Sequence, residues 1–182
     1  SPVKTFCVDR TYDERVYSFI RREVTAGRQV YIICPAVEES EETELKSAVE
    51  YQNFLQDAVF PDLRVGLLHG KMKPAQKDEV MEAFASGAIP ILVSTTVVEG
   101  GVNVPNATLM IVENAERFGL AQLHQLRGRV GRGQHESYCV LKTDIKQANV
   151  RKRMKILVDS QDGFYIAEED LRLRGAGDVF GL

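Results

Sequence analysis

Six short apolar runs punctuate the chain, and between them apolar residues recur at helical spacing. The runs are Thr5–Val8, Gln29–Cys34, Arg64–Leu68, Pro90–Ser94, Thr108–Glu113 and Ser137–Leu141. Within them, Val30-Tyr31-Ile32-Ile33 and Ile91-Leu92-Val93 are apolar at consecutive positions, the pattern of strands buried on both faces. Tyr12, Val16, Ile20 and Val24 fall on one helix face, as do Val80, Met81 and Phe84. Pro74 suits the first position of the second of these helices. Strands alternating with helices predict an α/β fold, a parallel sheet covered by helices, with these stripes as its core.

The pattern changes near Thr143. Val150, Met154, Leu157 and Val158 mark a further amphipathic helix, Asp162-Gly163 breaks it, and a second segment, Ala167–Leu173, precedes the glycine-rich end RGAGDVFGL. The predicted organisation is therefore a compact α/β unit over 1–142 and a helical appendage over 143–182. A length of 182 residues accommodates one such domain plus an appendage. The chain opens SPVKTFCVDR, without Met and within a strand-like run, which reads as a piece of a longer protein.

Composition narrows the class. No apolar run approaches the roughly 20 residues needed to span a bilayer, and no signal peptide is present, so neither a membrane partner nor export is expected. Cys7, Cys34 and Cys139 each lie in an apolar run without a C-x-x-C pair. Buried, reduced thiols of a cytoplasmic protein are expected. The three histidines lack metal-ligand spacing, so no zinc site is expected. The net charge of −3 argues against whole-surface attraction to nucleic acid, yet charge is uneven. The stretch 38–44 (EESEETE) carries five acidic residues and no basic one, whereas Arg127, Arg129 and Arg132 sit within six residues. Ordinary solvated charge is the expectation for the acidic run.

The arginine string Gln125–Arg132 (QLRGRVGR) is the most specific feature. Read as helix, it places Arg129 and Arg132 on one side, and its glycines allow close backbone approach to a ligand. Guanidinium groups are fixed, always-charged forks suited to phosphate oxygens. In phosphoryl transfer, such an arginine delivered from a neighbouring domain stabilises charge on the transferring group. A salt-bridged surface helix is the bland alternative.

The string Q-x-x-G-R-x-G-R resembles motif VI of superfamily-2 helicases. Gln29–Pro35 (QVYIICP) looks like motif IV, Leu68-His69-Gly70-Lys71-Met72 like an L-H-G-x-M element, and Ile91–Ala107 like motif V. The run Glu113–Arg132 is similar to the RecG and the transcription-repair coupling (Mfd-like) families. The tail Asp170–Asp178, of D-L-R-L-R-G-x-G-D pattern, favours the RecG family. The resemblance covers essentially the whole chain.

What it implies is a RecA-like lobe of the P-loop-NTPase type with a C-terminal helical-hairpin translocation element, truncated after Leu182. Arg129, Arg132 and Gln125 would act on ATP, and Gly101 and Asn103 would lie near its ribose. Thr95, Ser94 and Gly70 would contact DNA without reading sequence, and Arg172, Arg174 and Gly175 would couple hydrolysis to movement. The implied partners are DNA, as duplex, forks or junctions, and the N-terminal RecA-like lobe of the same polypeptide. That lobe would hold most of the ATP and Mg²⁺, leaving none tightly bound here. His69 and His124 are expected to be packing residues or supports for neighbouring groups rather than catalysts; Thr95 as a helix cap and Gly70 as a turn residue are the bland readings.

Two positions depart from the family pattern. Asn103 stands where Asp is usual, which removes an anionic acceptor for a ribose hydroxyl. Gly100 replaces a β-branched residue.

Absences matter too. There is no G-x-x-x-x-G-K-[ST] phosphate loop and no D-E-x-x box after a strand. Gly175-x-Gly177 follows a charged segment rather than a strand, which excludes a dinucleotide fingerprint. The expected function is the C-terminal motor lobe of an ATP-dependent DNA helicase that remodels stalled forks and branched intermediates. The alternatives are a transcription-repair coupling translocase lobe and a non-catalytic helicase-like interaction domain.

Overall fold

The computed structural model describes residues 2–36, 40–95 and 103–180. All six expected strands form: β1 (Val3–Val8), β2 (Gln29–Ile33), β3 (Val65–Leu68), β4 (Ile91–Ser94), β5 (Ala107–Val112) and β6 (Ser137–Lys142). They pair in the order β1-β6-β5-β2-β4-β3, and every ladder is parallel. Parallel neighbours need crossovers, which the intervening helices supply. Strands β2, β4 and β5 are buried at every position, in keeping with their unbroken apolar runs.

The α-helices among the described residues are α1 (Asp13–Thr25), α2 (Glu41–Phe54), α3 (Pro74–Ala85), α4 (Leu120–Arg127), α5 (Ala148–Asp159) and α6 (Gly163–Phe180). Two cores flank the sheet. On one face Val16 and Ile20 of α1 and Leu55, in the π-helical turn that continues α2, meet Val30, Ile32, Ile91 and Leu109. On the other, Met81 and Phe84 of α3 join Leu123 and Leu126 of α4, Val150, Met154 and Leu157 of α5 and Ile166 of α6. Helix α5 thus buries its apolar stripe in the same core as the sheet, whereas α6 adds Ile166, with Leu173 packed against it, and leaves Phe164 and Leu171 exposed. Tyr31 packs on Phe84 with ring centroids 4.8 Å apart.

Within 38–44, Ser40, Glu42 and Thr43 are exposed, and the run also carries the start of helix α2. Ser40 caps it, its Oγ accepting from the Thr43 N–H at 3.1 Å, which satisfies one of the donors a helix start leaves open. Leu45, Ala48 and Leu55 then turn inward at spacings of three and seven. The acidic residues hid a helix start; residues 38 and 39 lie outside the described residues. Helix α6 also runs longer than expected. Asp162 Oδ1 accepts from the Phe164 N–H at 3.0 Å and starts it, and it continues through Gly175 and Gly177, since helical neighbours outweigh the penalty of about 1 kcal/mol per glycine.

Cys7 corrects another expectation. It lies exposed on the edge strand β1, while Cys34 is half-buried and Cys139 buried; all three are free thiols. Burial pushes Cys34 and Cys139 up to about 12. Among the described residues no helix is long and apolar enough to cross a membrane.

Phe84 is fully buried and Phe54 is 48% exposed. Replacing Phe84 with alanine is expected to cost about 3–5 kcal/mol in urea unfolding, whereas Phe54→Ala stays within about 0.5 kcal/mol.

Candidate nucleotide and nucleic-acid sites

Two groups of functional candidates form, at different places on the fold. The first lies where β3 and β4 end. Leu68 and Ser94 are register partners, the Thr95 N–H donates to the Leu68 carbonyl at 3.1 Å, and the Cys34 N–H donates to the Ser94 carbonyl at 2.9 Å. Ser94, Thr95 and the exposed Gly70 turn therefore share one carboxyl edge, where open α/β sheets bind ligands. Thr95 is only 5% exposed. Its Oγ1 is buried without a hydrogen-bond partner and faces a cavity of about 250 Å³ shared with Cys34, Glu44, Tyr51, Asn114 and Arg117. A buried hydroxyl without a partner is costly, and none of the described residues supplies one.

The floor of that edge is tied down by charge. Lys142 Nζ contacts Glu113 Oε1 at 2.6 Å and Asp13 Oδ1 at 2.8 Å, and the Tyr51 hydroxyl donates to Glu113 Oε2 at 3.0 Å. Burial pulls the Lys142 pKa down, but Glu113 and Asp13 together outweigh it and raise it. Burial, then Glu113, drives the Tyr51 pKa well up. Asn114 follows at φ 47°, the one non-glycine residue at positive φ among the described residues, a conformation that asparagine tolerates. Nothing in the spacing of residues 13, 51, 113 and 142 foretells this network, because its members meet only through the fold.

The second group surrounds the arginine string, and here the helical reading needs correction. Helix α4 ends at Arg127 and Gly128 caps it. Gln125 is exposed on the helix, but Arg129 and Arg132 lie beyond it in a turn. Past Gly128 the chain tightens, the Arg129 and Val130 N–H groups donating to the carbonyls three residues back, and Gly131 then takes φ +82°, a left-handed conformation natural to glycine that bars any return to the helix. Gly133 sits so tightly that a Cβ there would stand 2.4 Å from the Pro105 carbonyl oxygen. The arginine turn is thereby seated against the segment that carries Asn103, which is exposed. Gly101 and Gly100 lie outside the described residues.

The three arginines divide sharply. Arg127 is 2% exposed and donates to the carbonyls of Leu157 at 2.5 Å and Ser160 at 2.8 Å and to Thr5 Oγ1 at 3.2 Å. Burial lowers its pKa, against a smaller opposing effect of Cys139. It is a structural clasp, not part of an exposed basic site. Arg132 is exposed, with Nε donating to the Gly128 carbonyl at 2.9 Å, and Arg129 is half-buried. Among the described residues, no carboxylate lies within ion-pair distance of either. By contrast Arg172 pairs with Glu169, and Arg174 with Asp170 at 3.1 Å; both stand on α6 with Gly175. Arg129 and Arg132 thus present guanidinium donors suited to phosphate oxygens. No three His, Cys, Asp or Glu side chains among the described residues come together to hold a metal ion, so these residues offer Mg²⁺ no ligand set.

His124 and His69 take packing positions. His124 lies against Gly163, where a Cβ would stand 2.9 Å from Nε2, and burial followed by Arg127 lowers its pKa. His69 is 1% exposed.

Comparison with known proteins identifies the family. The model of the helicase conserved C-terminal domain matches residues 12–134, and the chain belongs to that family. It is similar along its length to the ATP-dependent DNA helicase RecG of Synechocystis sp., 54% identical over 99% of this chain and 22% of the relative. RecG of Bacillus subtilis is 49% identical over 98% of the chain and 26% of the relative. A solved structure of RecG bound to a three-way DNA junction matches with a TM-score of 0.83 and 46% identity, covering 98% of this chain and 23% of that one. The chain spans about a quarter of the length of these relatives. Its fold is the RecA-like C-terminal lobe of helicases.

The inward and outward arginines differ in what they stabilise. Arg127→Met leaves two carbonyls and a hydroxyl without their donor, and is expected to lower unfolding free energy by about 3 kcal/mol. Arg132→Ala is expected to change it by less than about 0.5 kcal/mol. Thermal and urea denaturation of the two variants, side by side, checks the division.

Proposed function

We propose that this lobe is the C-terminal motor half of an ATP-dependent, RecG-type DNA helicase that remodels stalled forks and branched recombination intermediates. The observation that carries this reading is the seated turn bearing Arg129 and Arg132, two guanidiniums without a carboxylate partner among the described residues. In this reading they face the triphosphate of an ATP held on the N-terminal lobe of the same polypeptide. Bound there, ATP supplies the phosphoryl group whose transfer drives the motor, and Mg²⁺ is held by that other lobe. Gln125, exposed on the last turn of α4, is assigned to orienting the nucleotide. Asn103 and Gly101 are assigned to the ribose, Asn103 through an amide rather than a carboxylate.

The carboxyl edge of β3 and β4 is assigned to DNA. Thr95 offers a hydroxyl and the exposed Gly70 turn offers backbone, while Ser94, fully buried with its carbonyl taken by the Cys34 N–H, holds the edge from within; such contacts carry no sequence information, as a motor stepping along any duplex requires. Helices α5 and α6 are assigned to the translocation hairpin of residues 143–182, with Arg172, Arg174 and Gly175 linking it to the rest of the motor. Action on DNA inside a bacterial cell or an organelle fits this assignment. Polymerase-linked translocation is the neighbouring reading, but the D-L-R-L-R-G-x-G-D tail favours RecG.

Replacing Arg132 or Arg129 with alanine in the full-length protein is expected to reduce DNA-stimulated ATPase about 10³-fold while DNA affinity is largely kept. This chain alone is expected to show no steady-state ATPase above background. Full ATPase in both variants would instead favour a non-catalytic interaction domain.

A further inference from the structure

The turn after β3 is wound around one buried imidazole. His69 Nδ1 accepts from the Lys71 N–H at 3.0 Å, and its carbonyl accepts from the Met72 N–H at 3.1 Å. Its own N–H points at Met72 Sδ, 3.2 Å away. Because Nδ1 is the acceptor, the ring proton sits on Nε2. Nε2 faces Glu44 Oε1 at 3.6 Å, too long for a hydrogen bond and near enough for electrostatic alignment. Glu44 belongs to α2 and also lines the cavity of Thr95. One ring therefore connects the exposed Gly70 turn to the helix that walls the neighbouring Thr95 edge.

The physical consequence concerns backbone geometry. A glycine turn on a surface is free to sample many shapes, and ordering it when a ligand binds costs conformational entropy. Anchoring the Lys71 N–H in advance on an imidazole that is itself 1% exposed removes part of that cost before binding. The bond is short-range, but the imidazole itself is held by tertiary structure, so the turn inherits the rigidity of β3 and α2.

We propose that His69 is a positioning residue for DNA engagement, fixing the Gly70 turn through the Lys71 amide, with Glu44 orienting the ring. This rests on the reading that the β3–β4 edge faces DNA. The experiment uses the full-length helicase with Asn, Gln and Leu at position 69. Asparagine places its amide oxygen near the position of Nδ1 and retains the acceptor; glutamine reaches toward Glu44 but lacks that acceptor.

The DNA concentration giving half-maximal ATPase on a synthetic forked duplex is the main readout. It is expected to rise about tenfold in His69→Gln and His69→Leu and to stay near the parent value in His69→Asn, with kcat at saturating DNA kept in all three. Hydrogen exchange of the 70–73 amides is expected to quicken in the Gln variant and not in the Asn variant, and it reads the turn even where activity is weak. Equal behaviour of the Asn and Gln variants, in either readout, overturns the proposal, because a merely structural histidine would not separate them. Thr95→Val, measured in parallel, separates the two layers of argument. If it raises half-saturation while His69→Leu does not, the positioning role fails and the DNA edge stands. If neither variant shifts it, both fail.

Discussion

The buried guanidinium of Arg127 is the interaction on which the functional geometry hangs. A helix leaves its last carbonyls without intrahelical partners, and the C-terminal end of α5 presents that of Leu157, with Ser160 just beyond, to the interior. Arg127 satisfies both and also reaches Thr5 on β1. A cation at a helix C-terminus gains from the helix dipole, which helps a charge with no carboxylate at ion-pair distance among the described residues to remain buried. Loss of such a group leaves several polar atoms stranded at once, a larger penalty than the net worth of the bonds themselves. Arg153 repeats the device from the other side, donating from α5 to the carbonyls of Phe118 and Glu116 just before α4. Two arginines thus clip α5 to both ends of α4.

Much of this architecture was legible in the chain. The strands with consecutive apolar residues, β2, β4 and β5, appear within a residue or two of their expected limits because burial on both faces leaves no room for polar positions. Pro74 marks the start of α3 for an equally local reason. Helix α2 was hidden because its first turn is acidic and its inward stripe of Leu45, Ala48 and Leu55 is sparse, leaving periodicity little to detect. The length of α6 was hidden for the opposite reason. Gly175 and Gly177 signal a stop locally, and only packing against α4 shows which tendency prevails.

The candidate sites divide in the same way. Residue types were readable: guanidinium pairs, a threonine after a strand, a glycine after another. Orientation was not. Arg127, Arg129 and Arg132 are chemically identical and two or three residues apart, yet one is core and two face outward, and nothing local distinguishes them. The deciding events are the end of α4 at Gly128 and the positive φ of Gly131, which turn the chain away from the helix axis just after Arg127. The Tyr51–Glu113–Lys142–Asp13 network was invisible for a stronger reason, since its members come from four separate elements.

This arrangement has a mechanical consequence. Arg129 and Arg132 stand two and five residues beyond Arg127, in a turn held at one end by that clasp and at the other by the close seat of Gly133 on Pro105. So short a segment with both ends fixed has little slack. On the proposed function, a pull on either outward arginine by phosphate oxygens is delivered to Arg127 and through it to the carbonyls at the end of α5, where the hairpin turns into α6. Packed interiors transmit strain rather than absorb it. On that function, an outward face offered to phosphate and an inward clasp on the end of α5 lie within one short arginine string, so what the outward pair binds is felt where the inward arginine holds.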